Sequence, residues 1–350
     1  MTTMDRARRE EAADLDYAAR LPADGEPLEL APGLLGMRLV LPFALDHVNL
    51  WLLRDGPGWT AIDAGLADGR TREVWNGLLA GLLADRPLSR LIATHFHPDH
   101  IGLAGWLCER TGAALWTTRT EWLTARLLAY DVSEGFVEAG RVFDHQAGLS
   151  PAAIEARAAR GNLYRARVSP PPASFTRVME GGCVTIDGEP WRVLIGRGHA
   201  PEMICLFNAR RNLLIAGDQV LPRISPNIGV WPSEPLADPL ADYLGSLARF
   251  RELPEDCLVL PSHGRPFRGL HRRIDVLVAH HQERLARTLE ACREEVTATM
   301  VMPALFDREL DAHQLGFAVG ETVAHLNYLV ERGAISRRLD DAGVIRYRRC

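Results

Sequence analysis

The first part of the chain alternates short apolar runs with amphipathic stretches of helical length. Three apolar runs come first, "LLGMRLVLP", "VNLWLLRD" and "WTAIDAG", and "RDGPG" between the last two is typical of a hairpin turn. "TREVWNGLLAGLLA" then repeats apolar residues at helical spacing, and "LSRLIATH" has the pattern of a buried strand. "GLAGWLCERTG" predicts a helix that ends at Gly112, and "AALWTT" predicts another strand. This alternation predicts a layered α/β domain.

The pattern changes between about residues 120 and 177. "LSPAAIEARAARG" predicts a short helix with Ser150 as N-cap, Pro151 at the first helical position and Gly161 after its end. "VSPPPAS" predicts an extended connector, because proline fixes its own backbone and restricts the residue before it. We interpret residues 120–177 as a helical insertion. Whether it covers a site or is a plain surface excursion stays open.

Strand signals resume after the insertion. "CVTIDGEPWRVLIG" predicts a hairpin around "DGEP", and "MICLFNARRNLLIAGD" predicts a second hairpin around "NARRN". "LADYLGSLARFREL" has helical spacing, and "CLVLPSHG" is a strand that runs into a polar turn. The chain therefore contains two similar halves, each with strands, a helix and a strand that ends in histidine.

The last seventy or so residues have a different character. "HHQERLARTLEACREE" and "ELDAHQLGFAVGETVAHLNYLVERG" predict helices, and "AISRRLDDAGVIRYRR" predicts a hairpin with its turn at "DDAG". Helices followed by a hairpin resemble a small winged-helix module. We therefore predict a polar leader over residues 1–27, an α/β domain over 28–279 and a winged-helix-like domain over 280–350.

Composition limits the classes of function. The net charge of −5 argues against a protein that coats nucleic acid, although the last twenty residues hold six Arg against three acidic residues. All 40 basic residues are Arg, so chemistry that needs a lysine, such as a Schiff base or a Walker-A phosphate site, is excluded. Six scattered cysteines, no secretion signal and no apolar run of membrane-spanning length predict a cytoplasmic protein without a membrane partner.

The candidate chemistry is concentrated in "LIATHFHPDHIGLAGWL". His95, His97, Asp99 and His100 fall within six residues, between a predicted strand and a helix expected to start near Ile101. Residues two apart on extended backbone project to the same side, so the first two imidazoles can share one metal ion. Mixed imidazole and carboxylate donors suit a hydrolytic zinc or iron centre.

Three further candidate ligands each follow a strand-like run. "VLIGRGHAP" supplies His199, "LLIAGDQV" supplies Asp218 and "LVLPSHGRP" supplies His263. With the first cluster these make five His and two Asp, enough for two metal ions and one bridging carboxylate. The Ser-His pair in "PSHG" does not indicate a serine hydrolase, because adjacent side chains point apart.

The ordered motifs H-x-H-x-D-H, Gly-His, Gly-Asp and Ser-His-Gly resemble the metallo-β-lactamase superfamily over roughly residues 36–266. The resemblance implies a four-layer αββα sandwich with a helical insertion and the C-terminal module. It implies two divalent metal ions, zinc before iron or manganese, bridged by Asp218. His95, His97 and His199 would hold the first ion, and Asp99, His100 and His263 the second. Asp63 in "AIDAG" would support the metal loop. Met203 departs from the pattern, since many relatives have a second histidine there.

A metal-bridging hydroxide would attack the substrate, with Asp99 and Asp218 at the catalytic centre. We expect a small thioester, lactone or related acyl substrate whose anionic end meets Arg223, Arg265 or Tyr164. Two alternatives stay open: a phosphodiesterase or endoribonuclease, which the net charge disfavours, and a mono-iron persulfide dioxygenase, which the complete second ligand set disfavours. Hydrolysis of β-lactams and a purely binding role are disfavoured too. The C-terminal module could pack on the sandwich or form a homodimer contact.

Overall fold

The computed structural model describes residues 15–17, 23–43, 45–307 and 309–350, except for the side chains of residues 312 and 313. The described residues form two compact units that each combine separate stretches of chain. The first takes its residues from Met1–Tyr130, Tyr164–Pro226 and Phe250–Ile274. The second takes them from Asp131–Leu163, Asn227–Arg249 and Asp275–Cys350.

Two seven-stranded sheets form the framework of the first unit. Their strands are β1 (Asp16–Tyr17), β2 (Leu28–Ala31), β3 (Leu34–Val40), β4 (His47–Asp55), β5 (Gly58–Ile62), β6 (Leu88–Ile92), β7 (Ala114–Thr117), β8 (Thr176–Arg177), β9 (Cys183–Ile186), β10 (Glu189–Gly196), β11 (Met203–Asn208), β12 (Leu213–Gly217), β13 (Leu258–Pro261) and β14 (Phe267–Arg268). One sheet has the order β2 to β8, and the other has the order β1-β14-β13-β12-β11-β10-β9. The predicted hairpins at "RDGPG", "DGEP" and "NARRN" are confirmed by the antiparallel pairs β4–β5, β9–β10 and β11–β12.

The core of the first unit lies between the two sheets. Trp51 and Ile92 from the first sheet belong to one buried cluster with Trp191, Leu206 and Leu260 from the second. Burial of these apolar side chains is the main stabilising contribution, at about 25 cal/mol for each Å² removed from water. The cluster fixes the strand ends that carry the predicted ligands.

Four helices of the first unit follow its strands, namely α1 (Gly69–Ala80), α2 (Pro98–Ile101), α3 (Ala104–Thr111) and α4 (Arg119–Tyr130), and one 3-10 turn spans Arg165–Arg167. The prediction that a helix starts near Ile101 is wrong, because α2 already begins at Pro98 with His97 as its N-cap residue. Proline is well suited to the first helical position, where no N–H donor is needed. Asp99 and His100 therefore lie within a helical turn.

The second unit holds α5 (Glu134–Ala147), α6 (Pro151–Ala158), most of α7 (Pro239–Phe250), most of α8 (Leu270–Ala291), α9 (Ala298–Leu305) and α10 (Ala312–Glu331), followed by the hairpin of β15 (Ile335–Leu339) and β16 (Ile345–Arg349). Its core joins Phe143 and Ile154 to Val301, Leu326 and Tyr347. Ser150 caps α6 as predicted, with its Oγ accepting the N–H of Ala153.

The predicted insertion over residues 120–177 is divided between the units, since only residues 131–163 belong to the second. The predicted domain boundaries at residues 27 and 279 assumed continuous stretches of chain, and they stay predictions. In the part of the chain that the structure describes, no helix is both long and apolar enough to cross a bilayer.

Candidate metal centre

All of the predicted metal ligands lie after strand ends of the first unit. β6 leads to His95, and β10, β12 and β13 lead to His199, Asp218 and His263. β5 and β6 run parallel, as do β12 and β13, so their carboxyl ends come together in pairs. The loops at the carboxyl ends of parallel strands are where open α/β sheets commonly place binding residues.

Asp63 connects the end of β5 to the histidine cluster. Its backbone has a φ of 64°, in the left-handed region that a non-glycine residue seldom adopts. Its Oδ1 accepts the N–H of Thr94 at 2.7 Å and its Oδ2 accepts the Thr94 hydroxyl at 2.9 Å. Nδ1 of His100 donates to the same Oδ2 at 2.8 Å. Asp63 thus orients the His100 ring, with Nε2 directed towards Asp99 and Asp218.

The structure brings the seven predicted ligands into three overlapping groups. Within each group the candidate ligand atoms lie within 4.8 Å of one another. The first group is His95, His97 and His199, the second is His95, His100 and Asp218, and the third is Asp99, His100 and His263. Nε2 of His95 lies 2.9 Å from Nδ1 of His97, as expected if both imidazoles face one point. The geometry brings together every residue of the predicted set.

Asp218 lies between the histidine groups. Its Oδ2 is 3.3 Å from Nε2 of His199, whereas its Oδ1 is 3.3 Å from Nε2 of His263 and 3.6 Å from Nε2 of His100. The backbone N–H of Asp218 donates to Sδ of Met203 at 3.3 Å. Met203 is fully buried, so the residue that replaces the usual histidine supports the backbone of Asp218 from inside the core.

The electrostatics of the cluster follow from burial and from three carboxylates. Burial lowers the pKa of His95 and His97 well below the usual value, and neighbouring imidazoles lower it further. Burial alone would also lower the pKa of His100, but Asp218, Asp99 and Asp63 together raise it well above that value. The pKa of Asp218 is held well below its usual value despite burial, because His263 and His100 favour the carboxylate.

Several polar atoms of the cluster are buried without a hydrogen bond to any described residue. They include Nε2 of His100, Nε2 of His263 and Oδ1 of Asp218. Buried polar atoms nearly always have a hydrogen-bond partner, and an ion is one of the accepted explanations where they lack it. Imidazole nitrogens and carboxylate oxygens converging in this way fit a divalent metal ion.

The "HVN" motif at the start of β4 positions the loop that carries His263. The backbone carbonyl of His47 accepts the Nδ1 proton of His263 at 2.6 Å, and Nε2 of His47 accepts the N–H of Gly264 at 2.9 Å. The buried amide of Asn49 donates to the carbonyls of Pro261 and Gly264 at 2.9 and 2.7 Å. Hydrogen bonds of this kind fix the orientation of a ligating ring.

Glu121 was not predicted as a site residue. It is fully buried in the first turn of α4, and its two carboxylate oxygens accept backbone N–H groups from Phe96 at 2.8 Å and from Glu202 at 2.7 Å. Burial raises the pKa of Glu121 to about 7, and the two N–H donors oppose that shift. Its position, 25 residues after Phe96 and 81 before Glu202, forms no motif that could have revealed it.

The three predicted substrate-binding residues lie in the first unit. The guanidinium groups of Arg223 and Arg265 are both exposed and lie over the ring of Tyr17, at 5.7 and 5.1 Å from its centroid. The Tyr164 hydroxyl donates to the carbonyl of Phe96 at 2.6 Å, within the histidine cluster. Their roles towards a substrate stay predictions.

Comparison with known proteins finds matches along most of the chain. A family model described as "Metallo-beta-lactamase superfamily" matches residues 44–263, and one described as "Metallo-beta-lactamase-like, C-terminal domain" matches residues 285–350. The probable metallo-hydrolase YqjP of Bacillus subtilis (strain 168) is 27% identical over 321 residues, which are 86% of this chain and 93% of that protein.

Comparison with solved structures also finds matches along most of the chain. A beta-lactamase domain protein from Burkholderia ambifaria is 42% identical, covers 99% of this chain and 100% of its own, and superposes with a TM-score of 0.90. A metallo-beta-lactamase family protein from Thermus thermophilus is 31% identical over 92% of this chain and 100% of its own, with a TM-score of 0.78. The likeness to these two structures extends over both compact units.

Proposed function

The chain belongs to the metallo-beta-lactamase superfamily, and from that premise we propose that it is a hydrolase that uses two divalent metal ions. The predicted family and α/β fold class are confirmed. The proposal goes beyond them in the number of ions, the roles of the ligands and the class of substrate. Zinc is the ion we propose, because imidazole nitrogens and carboxylate oxygens like those of this cluster are among its usual ligands.

One observation carries the proposal: the two oxygens of Asp218 face different histidine groups. Oδ2 lies 3.3 Å from Nε2 of His199, and Oδ1 lies 3.3 Å from Nε2 of His263. A carboxylate placed in this way can bridge two ions. The first ion would be held by His95, His97 and His199, and the second by Asp99, His100 and His263.

The bound ions would supply a water molecule that is acidic near neutral pH and would polarise the scissile bond. The chain contributes the remaining parts of the reaction. Asp99 is less buried than His100, His199 and His263, with 18% of its side chain exposed, so its carboxylate can orient the attacking water from the open side of the cluster. Asp63 and the backbone of His47 hold the rings of His100 and His263 in place.

We propose a small acyl substrate with an anionic group, such as a thioester or a lactone. Arg265 is two residues after His263 and Arg223 is five after Asp218, so both arginines lie on ligand-bearing loops. Both guanidinium groups lie over the Tyr17 ring, at 5.7 and 5.1 Å from its centroid, so an anionic group bound beside Tyr17 could pair with either positive charge.

The two alternative functions have less support. In the terminal hairpin Arg338 and Arg346 are already paired with Glu295 and Asp340, which reduces the positive charge available to a nucleic-acid backbone. A mono-iron oxidative centre would need only three ligands, whereas Asp99, His100 and His263 form a complete additional group.

Elemental analysis of the purified full chain, with no metal added, tests the proposal. We expect close to two zinc ions per chain, together with hydrolysis of one or more members of a panel of thioesters and lactones. A single iron per chain with oxygen uptake on persulfide would overturn the hydrolase in favour of the oxidative alternative. Cleavage of RNA without any esterase activity would overturn the acyl substrate.

A further inference from the structure

We propose that Glu121 is a positioning residue that fixes His95, His97 and His199 relative to one another by binding the two loops that carry them. The proposal rests on the proposed function, since it takes these histidines as the ligands of one ion. The carboxylate of Glu121 accepts two backbone N–H groups and belongs to none of the three ligand groups, so its action is through the backbone.

The first loop is held at the peptide groups of Phe96, the residue between His95 and His97. Its N–H donates to Oε2 of Glu121 at 2.8 Å, and its carbonyl accepts the hydroxyl of Tyr164 at 2.6 Å. Phe96 is only 2% exposed, so water cannot replace either hydrogen bond. Because a peptide plane is rigid, fixing both groups of Phe96 fixes the directions in which the neighbouring imidazoles leave the backbone.

The second loop is held at Glu202, three residues after His199. Its N–H donates to Oε1 of Glu121 at 2.7 Å, and its carbonyl accepts the hydroxyl of Thr118 at 3.1 Å. The side chain of Glu202 also accepts the hydroxyl of Thr120 at 2.6 Å. Thr118, just before α4, and Thr120 and Glu121, in its first turn, therefore hold the loop of His199 at three points.

Only a carboxylate can make both connections at once. Each of its oxygens accepts a backbone N–H, and the two N–H groups belong to loops 106 residues apart in the chain, from Phe96 to Glu202. An amide has one acceptor oxygen and would turn an NH₂ group towards the other backbone N–H. The first turn of α4 also favours a negative charge, because a helix N-terminus carries partial positive charge.

A purely structural role for Glu121 predicts a different effect of its replacement on zinc binding. A buried glutamate that only stabilised the fold would, on replacement, weaken both metal positions through general loss of stability. The geometry instead predicts a selective effect. Glu121 binds the N–H of Phe96, between His95 and His97, and the loop of His199. The ligands proposed for the second ion are held by other contacts, because Asp99 and His100 lie in α2, Asp63 orients His100, and Glu121 makes no hydrogen bond with the loops of Asp218 or His263.

The test is a stepwise zinc titration by calorimetry of the full chain after treatment with a chelator. The variants His199→Ala and His263→Ala identify which binding step belongs to which position. We expect Glu121→Gln to weaken the step lost in His199→Ala by roughly ten- to a hundredfold and to leave the other step within about twofold. Glu321→Gln, another buried glutamate but in the second unit, is the matched control and should change neither step.

Tyr164→Phe provides a second, milder variant that keeps Glu121 and loses only the hydroxyl at the Phe96 carbonyl. It should weaken the same zinc step by a smaller factor. A folded Glu121→Gln chain with both steps unchanged, or with both weakened equally, would overturn the proposal. If that variant does not fold, an unchanged titration of Tyr164→Phe overturns it. Failure of the proposed function is distinct, because the wild-type chain itself would then bind fewer than two zinc ions.

Discussion

Oδ2 of Asp63 and Nδ1 of His100 are 2.8 Å apart, with both side chains buried. The same carboxylate accepts the N–H and the hydroxyl of Thr94, so three donors share two oxygens. Asparagine at position 63 keeps one acceptor and presents an NH₂ group to the remaining donors. We therefore expect Asp63→Asn to weaken zinc binding at the position of His100 by roughly ten- to a hundredfold.

Competition with a coloured zinc chelator measures that change. Asp68→Asn is a suitable control, because Asp68 is also an acidic residue after β5, but its side chain caps α1 and not the metal loop. Zinc affinity of Asp63→Asn equal to that of the wild-type chain would show that the hydrogen bond to His100 does not contribute.

His97→Ala removes one of the three histidines proposed for the first ion. Because every donor of a metal site contributes directly to affinity, we expect loss of one zinc per chain and a fall of at least about a hundredfold in hydrolysis. Elemental analysis and initial rates measure the two effects. His145→Ala is the matched control, since His145 is exposed on α5 in the second unit. Full activity in His97→Ala would remove it from the ligand set.

The ligand cluster could be predicted from sequence because its members follow strand ends and crowd into short motifs. Short apolar runs locate β6, β12 and β13, and the residues just beyond them are the donors that the structure brings together. Hairpins were equally predictable, since Asp187 and Asn212 tolerate the positive φ values of 51° and 52° that their turns require.

Apart from Asp63, the supports of the cluster could not be predicted in the same way. Glu121 and Tyr164 act on Phe96 from 25 and 68 residues away, and neither lies in a recognisable motif. The division of the chain into two units could not be predicted for a similar reason. Phe143 and Ile154 belong to the same core as Leu326 and Tyr347, a relationship between distant stretches that local periodicity does not contain.

Arg223 and Arg265 provide a test of the proposed substrate class. Both lie over Tyr17 with exposed guanidinium groups, so their contribution would be to binding of an anionic group and not to bond cleavage. We expect the double variant Arg223→Ala, Arg265→Ala to raise KM for an anionic thioester about tenfold or more with little change in kcat. A neutral thioester of the same length should show no such increase.

Arg272→Ala is the control for loss of an exposed arginine of the first unit, since Arg272 pairs with Glu255. Steady-state kinetics at low and high salt measure the effect, because an ionic contribution weakens when salt screens it. Equal KM values for the anionic substrate in the double variant and the wild-type chain would exclude the two arginines from substrate binding.

A pair of buried histidines in the second unit predicts a pH-dependent stability. Nδ1 of His281 and Nε2 of His325 are 3.4 Å apart, and Nδ1 of His325 donates to the carbonyl of Glu321 at 2.8 Å. Burial and, to a smaller extent, the nearby Arg284 lower the pKa of His325 to about 3. Burial likewise lowers the pKa of His281 well below its usual value, with His325 and His280 adding to the effect.

Both rings are therefore neutral in the folded chain at pH values where the unfolded chain binds protons, with a pKa of about 6.5. The contribution of the two neutral rings to the free energy of unfolding is then fully present above that pH. It falls as the pH drops towards the folded pKa of about 3 for His325. Each such group contributes a slope of about 1.4 kcal/mol per pH unit within this window. We expect the free energy of unfolding of His325→Gln to fall less steeply than that of the wild-type chain between about pH 6 and pH 4. The difference is the contribution of one group, because the neutral amide cannot bind the proton.

Urea unfolding followed between pH 4 and pH 7 measures the difference in slope between the two chains. Titrating groups that do not contact His325, including the ligand cluster, contribute equally to both chains and cancel in the comparison. Parallel stability profiles for His325→Gln and the wild-type chain would mean that His325 takes up its proton in the folded state as readily as in the unfolded one.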